Sequence, residues 1–131
     1  MAKPVLPVMF RMDRAKGGEV FAVFPTLPAT IDGSQVTVYA HVGQHSGGTW
    51  EGVLHNTRPA TPEEYAPLLR ELKGAYGTSH GPEDRPVDLE VYQRVTVAHR
   101  RAFRDEVERI RTAAKRLRAT VNTRGLEGPT E

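Results

Sequence analysis

A chain of 131 residues with 38% hydrophobic and 26% charged side chains has the composition of one folded domain around one core, not of a disordered segment. Its longest purely apolar run, Val20 to Phe24, is far short of the roughly 20 residues of a membrane-spanning helix. With no cysteine, disulfides, thiolate metal ligands and a Cys nucleophile are excluded.

The prolines of Met1-Ala-Lys-Pro-Val-Leu-Pro7 break up any signal-peptide core, and a cytoplasmic location without membrane contact fits these features. The net charge of +2 conceals an asymmetry. Residues 99–131 carry nine Lys/Arg against five Asp/Glu, whereas residues 1–98 carry nine against eleven. Such a basic end points to an anionic partner for that segment.

Along the chain, Val8, Phe10 and Met12 alternate with Met9 and Arg11, a period of two that predicts a strand. The turn cluster Asp13–Gly18 follows, and Glu19 to Phe24 returns as a more fully buried strand, making a hairpin. Pro25 is expected to stop the second strand because proline cannot donate to a ladder. Asp32-Gly33 signals a further turn.

From Gln35 to Val42 the alternation resumes. Val36, Val38, Ala40 and Val42 are expected to face the core, and Tyr39 and His41 to face away. Gly43, Gly47 and Gly48 let the chain reverse into a second strand through Thr49 to His55. There Trp50 and Leu54 take the core face, leaving Glu51, Val53 and His55 outside. Both apolar sets share a face if 45 lies opposite 49 and Tyr39 opposite His55.

Thr61-Pro-Glu-Glu64 is a capping box with proline in the first turn. Tyr65, Leu68, Leu69 and Leu72 follow at helical spacing, with Gly74 as the stop and Pro67 as an expected kink. Residues 77–86 read as a loop, and Val87 to Val95 as another strand. From Val97 to Val121, Phe103, Val107, Ile110, Ala114, Leu117 and Val121 recur at spacings of four and three, predicting a long helix. Residues 122–131 read as a flexible tail to a single domain over 1–121. The expected fold class is α+β: an antiparallel sheet of four to five strands in ββββαβα order, with two helices packed on one face.

Two surfaces are candidates for function. On the long helix, Arg100, Arg104, Arg111, Lys115 and Arg118 fall on one stripe beside the apolar seam. Five cations over roughly 27 Å would track a phosphate backbone, so nucleic acid or a nucleoprotein complex is the leading partner. Glu108 is placed to pair with Arg104 and Arg111. The seam also resembles a coiled-coil pattern, so a homodimer through residues 97–121 is a competing use of it.

The second surface is the outer face of the hairpin. There Tyr39, His41, Glu51 and His55 are candidate catalytic residues of a His-dependent hydrolase, and His41, His45 and His55 are candidate ligands for Zn²⁺ or Ni²⁺. A solvated polar sheet face explains the same residues without chemistry, and the expected cofactor is therefore none. A third class of function is an inhibitor that binds a host protein through a sheet edge or a helix.

The blocks Val20-Phe-Ala-Val-Phe-Pro-Thr-Leu-Pro-Ala29, Val38-Tyr-Ala-His-Val-Gly-Gln-His-Ser46 and Thr57-Arg-Pro-Ala-Thr-Pro-Glu-Glu-Tyr-Ala-Pro-Leu-Leu-Arg-Glu-Leu72 resemble a set of short uncharacterised bacterial proteins encoded on phages, prophages and plasmids. The resemblance covers about residues 5–76 and implies an accessory protein of a mobile element. It implies no activity, and the basic helix lies outside it.

Overall fold

Strand β1 (Val5–Asp13) runs through the middle of the sheet and is apolar on both sides: Leu6, Val8 and Phe10 enter one buried cluster and Met9 the other. A strand covered on both faces loses apolar–polar alternation. The computed structural model describes residues 4–14, 18–40, 45–74 and 87–127, with backbone only at 45–46 and 121–127. Strand β2 (Val20–Pro28) pairs antiparallel with β1, Met9 opposite Val23 and Met12 opposite Val20, which is the expected hairpin.

Pro25 does not end β2. Between Phe24 and Pro28 the register against β3 (Gln35–Tyr39) shifts, from Phe24 opposite Thr37 to Pro28 opposite Val36. The intervening residues, Pro25 among them, form a bulge, so the missing proline N–H falls where no ladder bond is required. The turn after β2 is closed by Asp32, whose carboxylate accepts from the Ser34 N–H at 2.9 Å and the Thr30 hydroxyl at 2.7 Å.

The returning strand, β4 (His45–Thr49), is shorter than expected and pairs in another register, with Gln35 opposite Thr49 and Tyr39 opposite His45. At Trp50 the chain turns into a short helix, α1 (Trp50–His55). Thr49 caps it, its hydroxyl accepting from the Gly52 N–H at 3.0 Å. Six residues containing a glycine are too few to display a helical period, so an apolar–polar pattern reads there as a strand.

Strand β5 (Thr57–Pro59) adds to the C-terminal half of β1, and β6 (Asp88–Val91) adds to the N-terminal half, running parallel to it. The sheet order is β4-β3-β2-β1-β5, with β6 beside β1. Helix α2 (Pro62–Leu72) carries the capping box read from the sequence: Glu64 N–H donates to Thr61 Oγ1 at 3.2 Å, and Thr61 N–H to Glu64 Oε1 at 2.9 Å. The helix continues through Pro67, an exposed position, with Lys73 as its C-cap.

The α+β class holds, but the helices divide between the faces. Helix α2 packs Leu68 and Leu72 against Leu6, Val8, Phe10, Ala22, Phe24 and Tyr39, with Tyr65 stacked on Phe10 at 4.5 Å. On the other face, α1 and α3 (Val97–Glu127) place Val53 and Phe103 against Met9, Val23 and Val36, with Val38, Trp50, Leu54 and Val107 around them. Both faces of β1 to β3 therefore bury apolar side chains. Burying one such side chain contributes roughly 1.5–3 kcal/mol.

Among the described side chains of α3, the first half of the helix makes this contact. Phe103 is buried and Val107 half-buried, whereas residues 115–120 are all exposed and Leu117 retains 67% of its accessible surface. The sheet thus takes the start of the seam that a coiled coil through 97–121 would need. The helix runs to Glu127, past the expected end at Val121, and residues 128–131 lie outside the described residues.

Candidate nucleic-acid interface

Helix α3 begins with a capping arrangement at its N-terminus. Thr96 N–H donates to His99 Nδ1 at 3.1 Å, and His99 N–H donates to Thr96 Oγ1 at 3.0 Å. His99 is buried, with Tyr92 edge-on to its ring at 4.3 Å. Burial holds its pKa below the ordinary value of 6.5, against an opposing pull from Glu90. Thr96-Val-Ala-His99 has the spacing of a capping box with His in place of Glu, and that substitution hid the signal. From this anchor α3 crosses β2, Phe103 and Val107 facing the sheet.

The five stripe cations, Arg100, Arg104, Arg111, Lys115 and Arg118, are all exposed. They flank the packed row because roughly 100° per residue brings each of them round to one side of it. They divide into two groups. Arg111, Lys115 and Arg118 line an open cleft of about 750 Å³ with Ala29, Thr30, Ile31 and Asp32 of the β2–β3 turn. Arg100 and Arg104 line a second hollow with apolar walls. Arg111 is positioned by its guanidinium, whose Nη2 donates to the Asp32 carbonyl at 3.1 Å.

Gly33 makes this approach of turn and helix feasible. Its φ is +75°, and a Cβ there would lie 2.9 Å from Val107 Cγ2. The turn also brings one acid to the cleft. The carboxyl of Asp32 is lowered to about 2, mainly by the hydrogen bond from the Ser34 backbone, then by Ser34 and Thr30 side chains, with Arg111 a smaller influence. Its negative charge is thus persistent and offsets part of the cationic field.

Ion pairs among the described residues lie elsewhere, between Arg58 and Glu64 at 2.7 Å on α2's side and between Arg109 and Glu106 on α3. Among the described residues none of the five stripe cations has a carboxylate within 4 Å, so the pairing of Glu108 with Arg104 and Arg111 is absent.

The hairpin surface does not assemble as drawn from the sequence. Tyr39 is 2% exposed and belongs to the core under α2. Because Trp50–His55 is helical, Glu51 and His55 sit one turn apart on exposed positions of α1, and His55 is not opposite Tyr39. Val53, expected outside, is buried. His45 is on β4 across from Tyr39, and His41 and Val42 lie outside the described residues. Among the described residues no group of three or more His, Cys, Asp or Glu is gathered as a metal would need.

No helix among the described residues is long and apolar enough to cross a membrane. No family model matches the chain, and no curated protein and no solved structure matches it.

Proposed function

We propose that this chain is a small, non-catalytic accessory protein of a mobile genetic element, and that it contacts nucleic acid or a nucleoprotein complex through the basic side of α3. The observation that carries the binding role is the stripe itself. Arg100, Arg104, Arg111, Lys115 and Arg118 are exposed along a helix whose neighbouring row, Phe103 and Val107, is anchored on the sheet, and no carboxylate neutralises them within ion-pair distance among the described residues. Cations held along a rigid rod match a regularly charged polyanion, and the displacement of counterions from phosphates supplies the affinity. The mobile-element origin rests on the resemblance of the Val20, Val38 and Thr57 blocks.

The reading is tested by titrating the protein with labelled DNA and RNA at several salt concentrations. Binding should weaken steeply as salt rises, and replacing Arg104, Arg111 and Arg118 together by Glu should abolish it. Failure to bind any nucleic acid at low salt would end the idea.

A further inference from the structure

The hollow at the N-terminal end of the stripe differs in character from the cleft at the other end. Its walls are Trp50 and Leu54 of α1, Val95 and Phe103; Arg100 and Arg104 complete the lining, around a volume of about 450 Å³. Trp50 meets Phe103 edge-on, ring centres 5.6 Å apart at 71°, which fixes the indole while leaving it only partly covered. Among the described residues no acid lines this hollow. Arg100 and Arg104 are four residues apart on α3, about 6 Å of helical rise between their backbone positions.

We propose that this hollow receives an unpaired base of a single-stranded nucleic acid whose phosphates follow the α3 stripe; the proposal rests on the nucleic-acid reading above and narrows it. A nucleotide joins a flat ring with apolar faces to an anion, and this lining joins an aromatic and aliphatic wall to two adjacent cations. The volume lies within the roughly 300–1,000 Å³ of small-ligand sites. Continuity argues the same way, because Arg111, Lys115 and Arg118 extend the cationic track from the hollow along the helix. In a duplex the bases are stacked on one another and offer no free ring, so the hollow selects for single strands.

Trp50 is the only tryptophan of the chain and therefore reports directly on the hollow. The full chain is titrated at low salt with oligothymidylate, oligouridylate, a duplex of matched length and an acidic peptide bearing phenylalanine. Trp50 emission and binding are both read. Single strands should quench Trp50 and bind roughly 10-fold tighter than the duplex. Trp50→Leu should weaken single-strand binding by about the same factor and leave duplex binding unchanged. Equal binding of single strand and duplex with unaltered Trp50 emission would overturn the base-binding hollow and leave the α3 interface standing. Quenching by the peptide but by neither oligonucleotide would overturn it in favour of a protein partner. Absence of binding to every nucleic acid would remove both proposals. The quenching measurement needs no substitution, so it decides the matter even where Trp50→Leu does not fold.

Discussion

Arg11 on β1 and Thr57 on β5 are joined twice: Arg11 Nε donates to Thr57 Oγ1 at 2.8 Å, and Nη2 to the Thr57 carbonyl at 2.9 Å. Nη2 also reaches the Leu54 carbonyl at 3.2 Å, and the Thr57 hydroxyl donates a hydrogen bond to the Val53 carbonyl. The buried guanidinium thereby satisfies carbonyls at the end of α1, where a helix leaves acceptors without partners. Burial, and then the neighbouring Arg14, draw its pKa down from the ordinary value.

Arg11→Leu should therefore destabilise the fold by about 2–4 kcal/mol, because buried acceptors lose charged donors. Thr57→Val should cost less, about 1–2 kcal/mol. Urea unfolding of each variant measures this; a loss below about 0.5 kcal/mol for Arg11→Leu would contradict the role assigned to it.

Gly33→Ala should destabilise by about 1–3 kcal/mol through the left-handed φ and the clash with Val107. The two contributions are separable. Adding Val107→Ala relieves the clash but not the backbone strain, so the double variant should lose less than the sum of the singles. Simple additivity in thermal unfolding would show that the turn does not press on α3.

His99 gives a pH dependence with a definite sign. Its folded pKa lies below the unfolded value of 6.5, so the unfolded chain binds the proton more readily. Stability should be full above pH 6.5 and fall as the pH drops below it, until the folded pKa is passed. Glu90 and Tyr92 are the polar neighbours that oppose or frame this change. His99→Gln keeps an acceptor for the Thr96 N–H and does not titrate, so it should flatten the part of the curve that falls below pH 6.5. A second decline belongs to Glu64, whose pKa is lowered from 4.5 to about 2, chiefly by Arg58. That contribution is present above pH 4.5 and is lost as the pH falls towards about 2; being exposed, it is screened by solvent.

The stripe also fixes the salt response. A single strand contacting all five cations should give a slope of about −3.5 in log affinity against log salt, and Lys115→Ala should make it shallower by about 0.7. Fluorescence anisotropy across a salt series reads both values. An unchanged slope for Lys115→Ala would take that residue out of the interface.

The parts of the fold legible in the sequence are those with one solvent-facing side or a capping signature. Thr61-Pro-Glu-Glu64 announced α2, and the four-three spacing from Phe103 announced α3. What sequence reading misplaced is the stretch buried on both sides. In β3, Val36 and Val38 face α3 while Tyr39 faces α2, so a polar-looking position is core. The stripe on α3 was readable because helical geometry alone brings i, i+4 residues together. The hollow was not, because it needs α1 to be a helix and Trp50 to meet Phe103 from a distant part of the chain.

The pairing of β1 with β6 has a consequence for the order of assembly. Val5 to Val8 lie beside Asp88 to Val91, so the earliest of these strands to be synthesised is completed by the last of them, just before α3. Closing so long a loop carries an entropic cost that grows with loop length and comes before its contacts are gained. During synthesis the N-terminal half of β1 is an open strand edge, able to pair with other chains until residue 91 has emerged. Misassembly of nascent copies should therefore concentrate at Val5–Val8, and Pro4, whose carbonyl accepts from the Asp88 N–H on this edge and which has no N–H of its own, blunts that edge while it waits.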